Sequence, residues 1–248
     1  MQLDFNTALI CAAALFVGGF TKGVAGLGLP MVAIPLLTLA VDLHTAVVLL
    51  ALPTLIANVF QSFQRGAFAP TMRRFWPLMA TMVPMTAVGA MLLVSLEPRI
   101  LYVALGLVIL VFTVLTRAAP SLQVGRPLER VLSPVVGAVS GLIGGASSLF
   151  GPPIMVYLLS LRLDRTEYIA TVSLLYLISA ALFLISLVVV GGFGGDAALN
   201  STLALIPVFG GMWVGQLLGA RLSKRLFERT LDALYVLAAF TFFYKAFS

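Results

Sequence analysis

The chain has 248 residues, 61% of them hydrophobic and 10% charged, with a formal net charge of +6 and a mean hydropathy of +1.11. No water-soluble domain of this length could cover so much apolar surface with so few charges, so the composition specifies an all-α polytopic membrane protein lodged in the lipid bilayer. The positive charge does not point to nucleic acid, because the basic residues are scattered through short loops.

Apolar segments fall near 7–22, 28–41, 45–63, 75–96 and 99–116, and again near 133–145, 149–161, 168–190, 203–220 and 231–247. The first run has no Lys or Arg before it and reads as a membrane segment, not a cleaved signal peptide. It contains the chain's one cysteine, Cys11, which excludes an internal disulfide framework. By length, the first two segments of each series are too short to span comfortably and the last three are long enough. The chain thus divides into an N-terminal transmembrane repeat at 1–117, a linker at 118–130 containing Pro120, Gly125 and Pro127, and a C-terminal repeat at 131–248.

The two series match in register. Gly19, Gly23, Pro30 and Asp42 recur 122 residues later as Gly141, Gly145, Pro152 and Asp164. Glu97 and Glu228, each just before the last segment of its series, lie 131 apart, so the second series carries an insertion, placed in the loop at 191–200. Twelve basic residues gather in the loops at 65–74, 117–130, 162–165 and 221–229, against Arg99 and Lys245 on the other side. The positive-inside rule makes the first side cytoplasmic and puts both termini on the non-cytoplasmic side of the cell membrane. Each repeat then crosses an odd number of times, and the second is inverted relative to the first, a recurring plan of secondary transporters.

The glycine- and proline-broken stretches at Gly19–Pro30 and Gly141–Pro152 are the candidate site. A helix that restarts inside the membrane presents first-turn N–H groups without intrahelical partners and the positive end of its dipole, a ready anion site. Gly26, Gly28 and Gly151 let backbone approach a ligand, and Thr21, Ser147 and Ser148 offer hydroxyls. Ser147 and Ser148 would either cap the second restart or bond the anion. Lys22 at membrane depth costs about 2.5 to 3.5 kcal/mol and so calls for a partner or a wet cavity; a substrate anion would serve, and snorkelling is the competing reading. Asn58, with Gln61 one turn on, and Gln216 are candidates for lining a path, although amides in bundles more often bridge helices. The glycines Gly211, Gly215 and Gly219 have the spacing of helix packing. His44 reads as structural or incidental. All nine acids fall at helix ends, loops or termini, which leaves an anion path free of negative charge. No metal-ligand cluster, P-loop or hydrolase motif is present, so neither an enzyme nor a cofactor is indicated.

Over nearly its full length the chain resembles the TauE/SafE family, the sulfite exporter or toluenesulfonate uptake permeases. The residues that carry the resemblance are the first break with Pro35 and the second break running Gly151-Pro152-Pro153-Ile154-Met155-Val156-Tyr157-Leu158. The resemblance implies a transporter of sulfite, sulfonates or related small organic anions across the cytoplasmic membrane, with the anion held between two broken-helix ends. This chain departs from the family pattern in having Gly26-Leu27-Gly28 instead of an unbroken glycine run, and Phe150 where a further glycine is usual. A passive anion channel and a non-transporting scaffold subunit remain as alternative classes, and homo-oligomerisation is open.

Overall fold

The computed structural model describes residues 4–26, 28–63, 68–118, 123–163, 165–219 and 224–247. All regular structure among them is helical: α1 (Phe5–Ala25), α2 (Leu29–Leu37), α3 (Leu43–Phe63), α4 (Phe68–Ser95), α5 (Pro98–Ala118), α6 (Arg126–Ser147), α7 (Gly151–Ser160), α8 (Arg165–Val189), α9 (Gly195–Leu203), α10 (Leu205–Gly219) and α11 (Lys224–Phe247). Among the described residues six stretches are long and apolar enough to cross a membrane: Phe5–Val24, Thr71–Ser95, Pro98–Leu115, Arg126–Ser147, Thr171–Val189 and Gly195–Gly219. The chain is a multi-pass membrane protein.

Three expected boundaries move, each for a local reason. The leading segment of each series is not short, because α1 has 21 residues and α6 has 22. Thr21, Lys22 and Gly23 end the apolar run, but the backbone ladder continues through them, since intrahelical bonds do not depend on side-chain polarity. Only α2 and α7, of 9 and 10 residues, are short. The stretch read as linker already contains the first turn of α6, because Pro127 stands where a helix loses nothing by lacking an N–H. Likewise α9 begins inside the supposed loop at 191–200, and Pro207 separates it from α10 by removing one bond of the ladder.

A second proline has its gap filled. Pro53, inside α3, cannot bond the Leu49 carbonyl. The Ser201 hydroxyl of α9 donates to that carbonyl at 3.1 Å and accepts from the Leu52 N–H at 3.1 Å. At the start of α3, Asp42 accepts from the Thr45 N–H at 2.9 Å and from its hydroxyl at 2.7 Å, satisfying a donor that the helix end leaves over.

The residues form two compact units, one of Met1–Thr54, Leu96–Thr113 and Gly192–Ser248, the other of Leu55–Ser95 and Val114–Gly191. Each unit draws on both sequence halves, so the division by packing is not the division read along the chain. In the first unit α1 packs chiefly on α10, and in the second α6 packs on α4. Both pairs meet backbone to backbone through glycine. A Cβ on Gly19 would lie 2.9 Å from the Val208 carbonyl carbon, and one on Gly23 would lie 2.9 Å from that of Met212. In the other unit a Cβ on Gly141 would lie 2.5 Å from the Met82 carbonyl oxygen, and one on Gly145 would lie 2.9 Å from the Thr86 carbonyl carbon. The glycines correspond at an offset of 122, and the residues they face at 126. Gly215 against Phe20 and Gly89 against Leu142 repeat the arrangement from the opposite helix. The offset thus rises from 122 to 126 by Val208 and to 131 by Glu228.

The second unit also contains a buried acid. Glu129, in the first turn of α6, is 8% exposed. Both its carboxylate oxygens accept from Arg74 of α4, at 2.7 and 2.8 Å, and Arg74 also donates to Glu167 of α8 at 2.5 Å. Arg74 lies over the Phe75 ring, 5.3 Å from its centroid. This network joins three helices, and pairing removes the penalty that a lone buried carboxylate would incur.

Candidate functional site

The first break lies in the first unit. α1 runs to Ala25 and closes on Gly26 in the left-handed conformation (φ 77°), whose N–H donates to the Lys22 carbonyl at 2.7 Å. Gly28 is left-handed as well (φ 92°) and opens α2 with no side chain capping it. Two left-handed residues within three turn the chain sharply, and glycine enters that conformation without steric cost. Pro30 has no N–H, so the first-turn donors of α2 are Leu29 and Met31.

Around this turn the structure gathers Thr21, Lys22, Gly26 and Gly28. Lys22 is 4% exposed, on the last turn of α1. The Thr21 hydroxyl donates back to the Val17 carbonyl at 3.0 Å, so its proton is spent inside its own helix. Its methyl instead bounds the space over Gly28, where a Cβ would stand 3.5 Å from it and 3.9 Å from the Tyr235 hydroxyl of α11. Gln216 does not join this group: it is exposed on α10, next to Gly215, which packs on Phe20 of α1. His44 lines a separate cavity of about 430 Å³ in the same unit, with Thr45, Asp196 and Asn200.

The second break lies in the other unit and is built differently. α6 ends on Ser148, left-handed at φ 62° and 4% exposed, whose N–H donates to the Gly144 carbonyl at 2.6 Å. Ser148 occupies the register of Gly26, and a side chain there carries a strain of about 1 to 2 kcal/mol. Phe150 occupies the register of Gly28, but its backbone is right-handed and its ring packs onto Gly144 and edge-on to Phe183 at 6.1 Å. Gly144 in turn stands in the register of Lys22. The second break thus holds a phenylalanine ring over a glycine that stands where the first break has Lys22.

Neither serine caps α7, contrary to one expectation, since no side chain bonds its first turn. The fully buried Ser147 donates to the Ile143 carbonyl at 2.7 Å and accepts from the Leu149 N–H at 3.3 Å, so it stabilises the turn. Prolines at 152 and 153 leave Gly151 as the first-turn donor of α7. The Tyr176 hydroxyl of α8 covers Gly151, where a Cβ would lie 2.6 Å from it. Asn58 donates to the Tyr176 carbonyl at 3.1 Å, which makes it a bridge between α3 and α8 and connects it to this break through Tyr176. Tyr176 and Tyr235 lie far along the chain from the breaks they cover, and no sequence signal marks them.

A family model described as "Sulfite exporter TauE/SafE" matches residues 10–242. The chain belongs to the TauE/SafE family. No curated protein and no solved structure matches it. Both breaks fall inside the matched residues, so the TauE/SafE relationship covers the whole candidate site and identifies a membrane transport protein for sulfur-containing anions.

Proposed function

We propose that this TauE/SafE protein is a secondary transporter that moves a small anion, namely sulfite, a sulfonate or a related organic anion, across the cytoplasmic membrane by alternating access. In the first unit the anion contacts are the first-turn N–H groups of α2, with Lys22 as counter-charge; in the second they are the first-turn N–H of α7 and Ser148. The observation that carries this reading is the position of Lys22: a 4% exposed cation on the last turn of α1, seven residues before the uncapped restart at Leu29. A helix start and an ammonium both favour negative charge, and together they suit an oxyanion. The basic loops face the cytoplasm in this reading, both termini lie outside, and the two repeats are inverted. The image-related helix pairs, α1 with α10 and α6 with α4, support a repeat of this kind.

The test is flux into liposomes containing purified protein, with sulfite, sulfonates, sulfate, thiosulfate and small carboxylates compared side by side. A carrier shows saturation and counterflow with at least one sulfur anion. Saturation without counterflow would indicate a channel, and no flux of any anion would leave a scaffold. Lys22→Gln should weaken substrate binding roughly ten- to a hundredfold, the size of a lost charge-assisted hydrogen bond of about 1.5 to 3 kcal/mol. Lys22→Arg should retain part of the affinity. Unchanged affinity in Lys22→Gln, with the protein folded, would remove Lys22 from the site.

A further inference from the structure

We propose that the second unit carries another anion site, at the end of α6 away from the second break, that takes a phosphate-type oxyanion, either as the headgroup of an anionic phospholipid or as a free ion. Its place is a cavity of about 280 Å³ lined by Arg74, Arg126, Glu129 and Arg130. Three guanidiniums and one carboxylate line it, and that carboxylate is already committed: both Glu129 oxygens accept from Arg74, at 2.7 and 2.8 Å. Glu167, bonded to the remaining arm of Arg74, leaves the cluster of five charges at +1. The excess resides on Arg126 and Arg130. These stand four residues apart on one face of the first turn of α6, and both are exposed.

The chemistry of these groups selects the ligand. A guanidinium presents its donors as a planar fork that matches phosphate oxygens two at a time, and two forks one helical turn apart can hold one tetrahedral group. The start of α6 adds its positive dipole end, with no side chain capping it. Arg74 is fixed by its two glutamates and by the Phe75 ring, so it forms a set wall of the cavity and leaves Arg126 and Arg130 as the anion's partners. The level in the bilayer also fits. Arg126 opens the candidate span Arg126–Ser147, and Arg74 stands three residues inside Thr71–Ser95. A basic pocket between membrane helices at the edge of their apolar stretch is where lipid headgroup phosphates are bound.

The experiment uses the full-length protein in detergent. Native mass spectrometry reads retention of phosphatidylglycerol against phosphatidylcholine, and calorimetry reads inorganic phosphate. The wild type is expected to retain the anionic lipid about tenfold better than the neutral one. The double variant Arg126→Gln/Arg130→Gln should lose that preference about tenfold, and Arg126→Lys/Arg130→Lys should keep part of it. Phosphate binding that disappears in the glutamine variant, without lipid selectivity, would support the site and assign it to a free ion. Equal retention of both lipids by the wild type with no phosphate binding would overturn the proposal, and this needs no variant. Selectivity unchanged in a folded glutamine variant would overturn it as well. Lys22→Gln should leave the lipid preference unchanged, so this site and the transport site fail separately.

Discussion

Replacing Gly23 by alanine tests how the first unit is held together. The added Cβ would lie 2.9 Å from both the carbonyl carbon and the Cα of Met212, with the carbonyl oxygen nearer still. Carbon atoms at ordinary contact stand about 3.5 to 4.0 Å apart, so the carbons alone require α1 and α10 to part by roughly 0.6 to 1.1 Å, and the closer oxygen requires at least the upper part of that range. A gap of that size forfeits a quarter to a half of the dispersion attraction along the seam, and overpacking of this kind costs about 1 to 3 kcal/mol. For a chain of this length that lowers the melting temperature by about 2 to 4 °C per kcal/mol, or roughly 4 to 8 °C at the centre of the range. Gly215→Ala on the opposite helix, whose Cβ would lie 3.1 Å from the Gly23 Cα, forces the same separation. The double variant should therefore cost much less than the sum, with a coupling of about 0.5 to 3 kcal/mol. Gly219→Ala, whose Cβ would meet only Val24 at 3.3 to 3.6 Å, is the control and should change little. Thermal and SDS unfolding of the purified protein measure all four. Single variants within about 0.5 kcal/mol of wild type, or a strictly additive double, would refute the reasoning.

Ser148→Gly should stabilise the protein by about 1 kcal/mol through relief of left-handed strain, and Gly26→Ala should destabilise it by a similar amount. If the Ser148 hydroxyl also touches the anion, the more stable Ser148→Gly variant will bind substrate more weakly; higher stability with unchanged affinity would remove Ser148 from the site. Gly151→Val should abolish transport while the protein still inserts, because the side chain displaces the Tyr176 hydroxyl and fills the approach to the α7 start; normal flux would make Gly151 a packing residue only. Single cysteines at Arg73 and Arg126, in a Cys11→Ala background, should resist an impermeant external thiol reagent while one at Asp196 reacts, and labelling of all three from one side would refute the inverted arrangement.

The positions of the breaks were legible because glycine and proline act on the backbone directly. Helix ends were less so: Lys22 and Thr21 end an apolar run without ending a helix, and Arg126–Arg130 begin a helix on an amphipathic turn that lacks the composition of a span. The matched glycines carried a different meaning from the one read into them. Gly19, Gly23, Gly141 and Gly145 recur because two helix pairs pack by the same backbone contact. The turning residues themselves, Gly26 and Ser148, differ in identity, so a search for identical residues passes over them. Glu129 sits at a helix end as expected, yet only the fold reveals that Arg74, 55 residues earlier, is its partner. Tyr176 and Tyr235 reach the breaks through tertiary packing, which no local pattern encodes.

The Pro53 gap in α3 turns a defect in one helix into a bond between two. Proline removes the backbone hydrogen bond that the Leu49 carbonyl would otherwise accept. The Ser201 hydroxyl of α9 takes up that carbonyl and the Leu52 N–H together, each a bond of ordinary strength. The continuity of the α3 ladder at this point therefore depends on one side chain contributed from the opposite half of the chain.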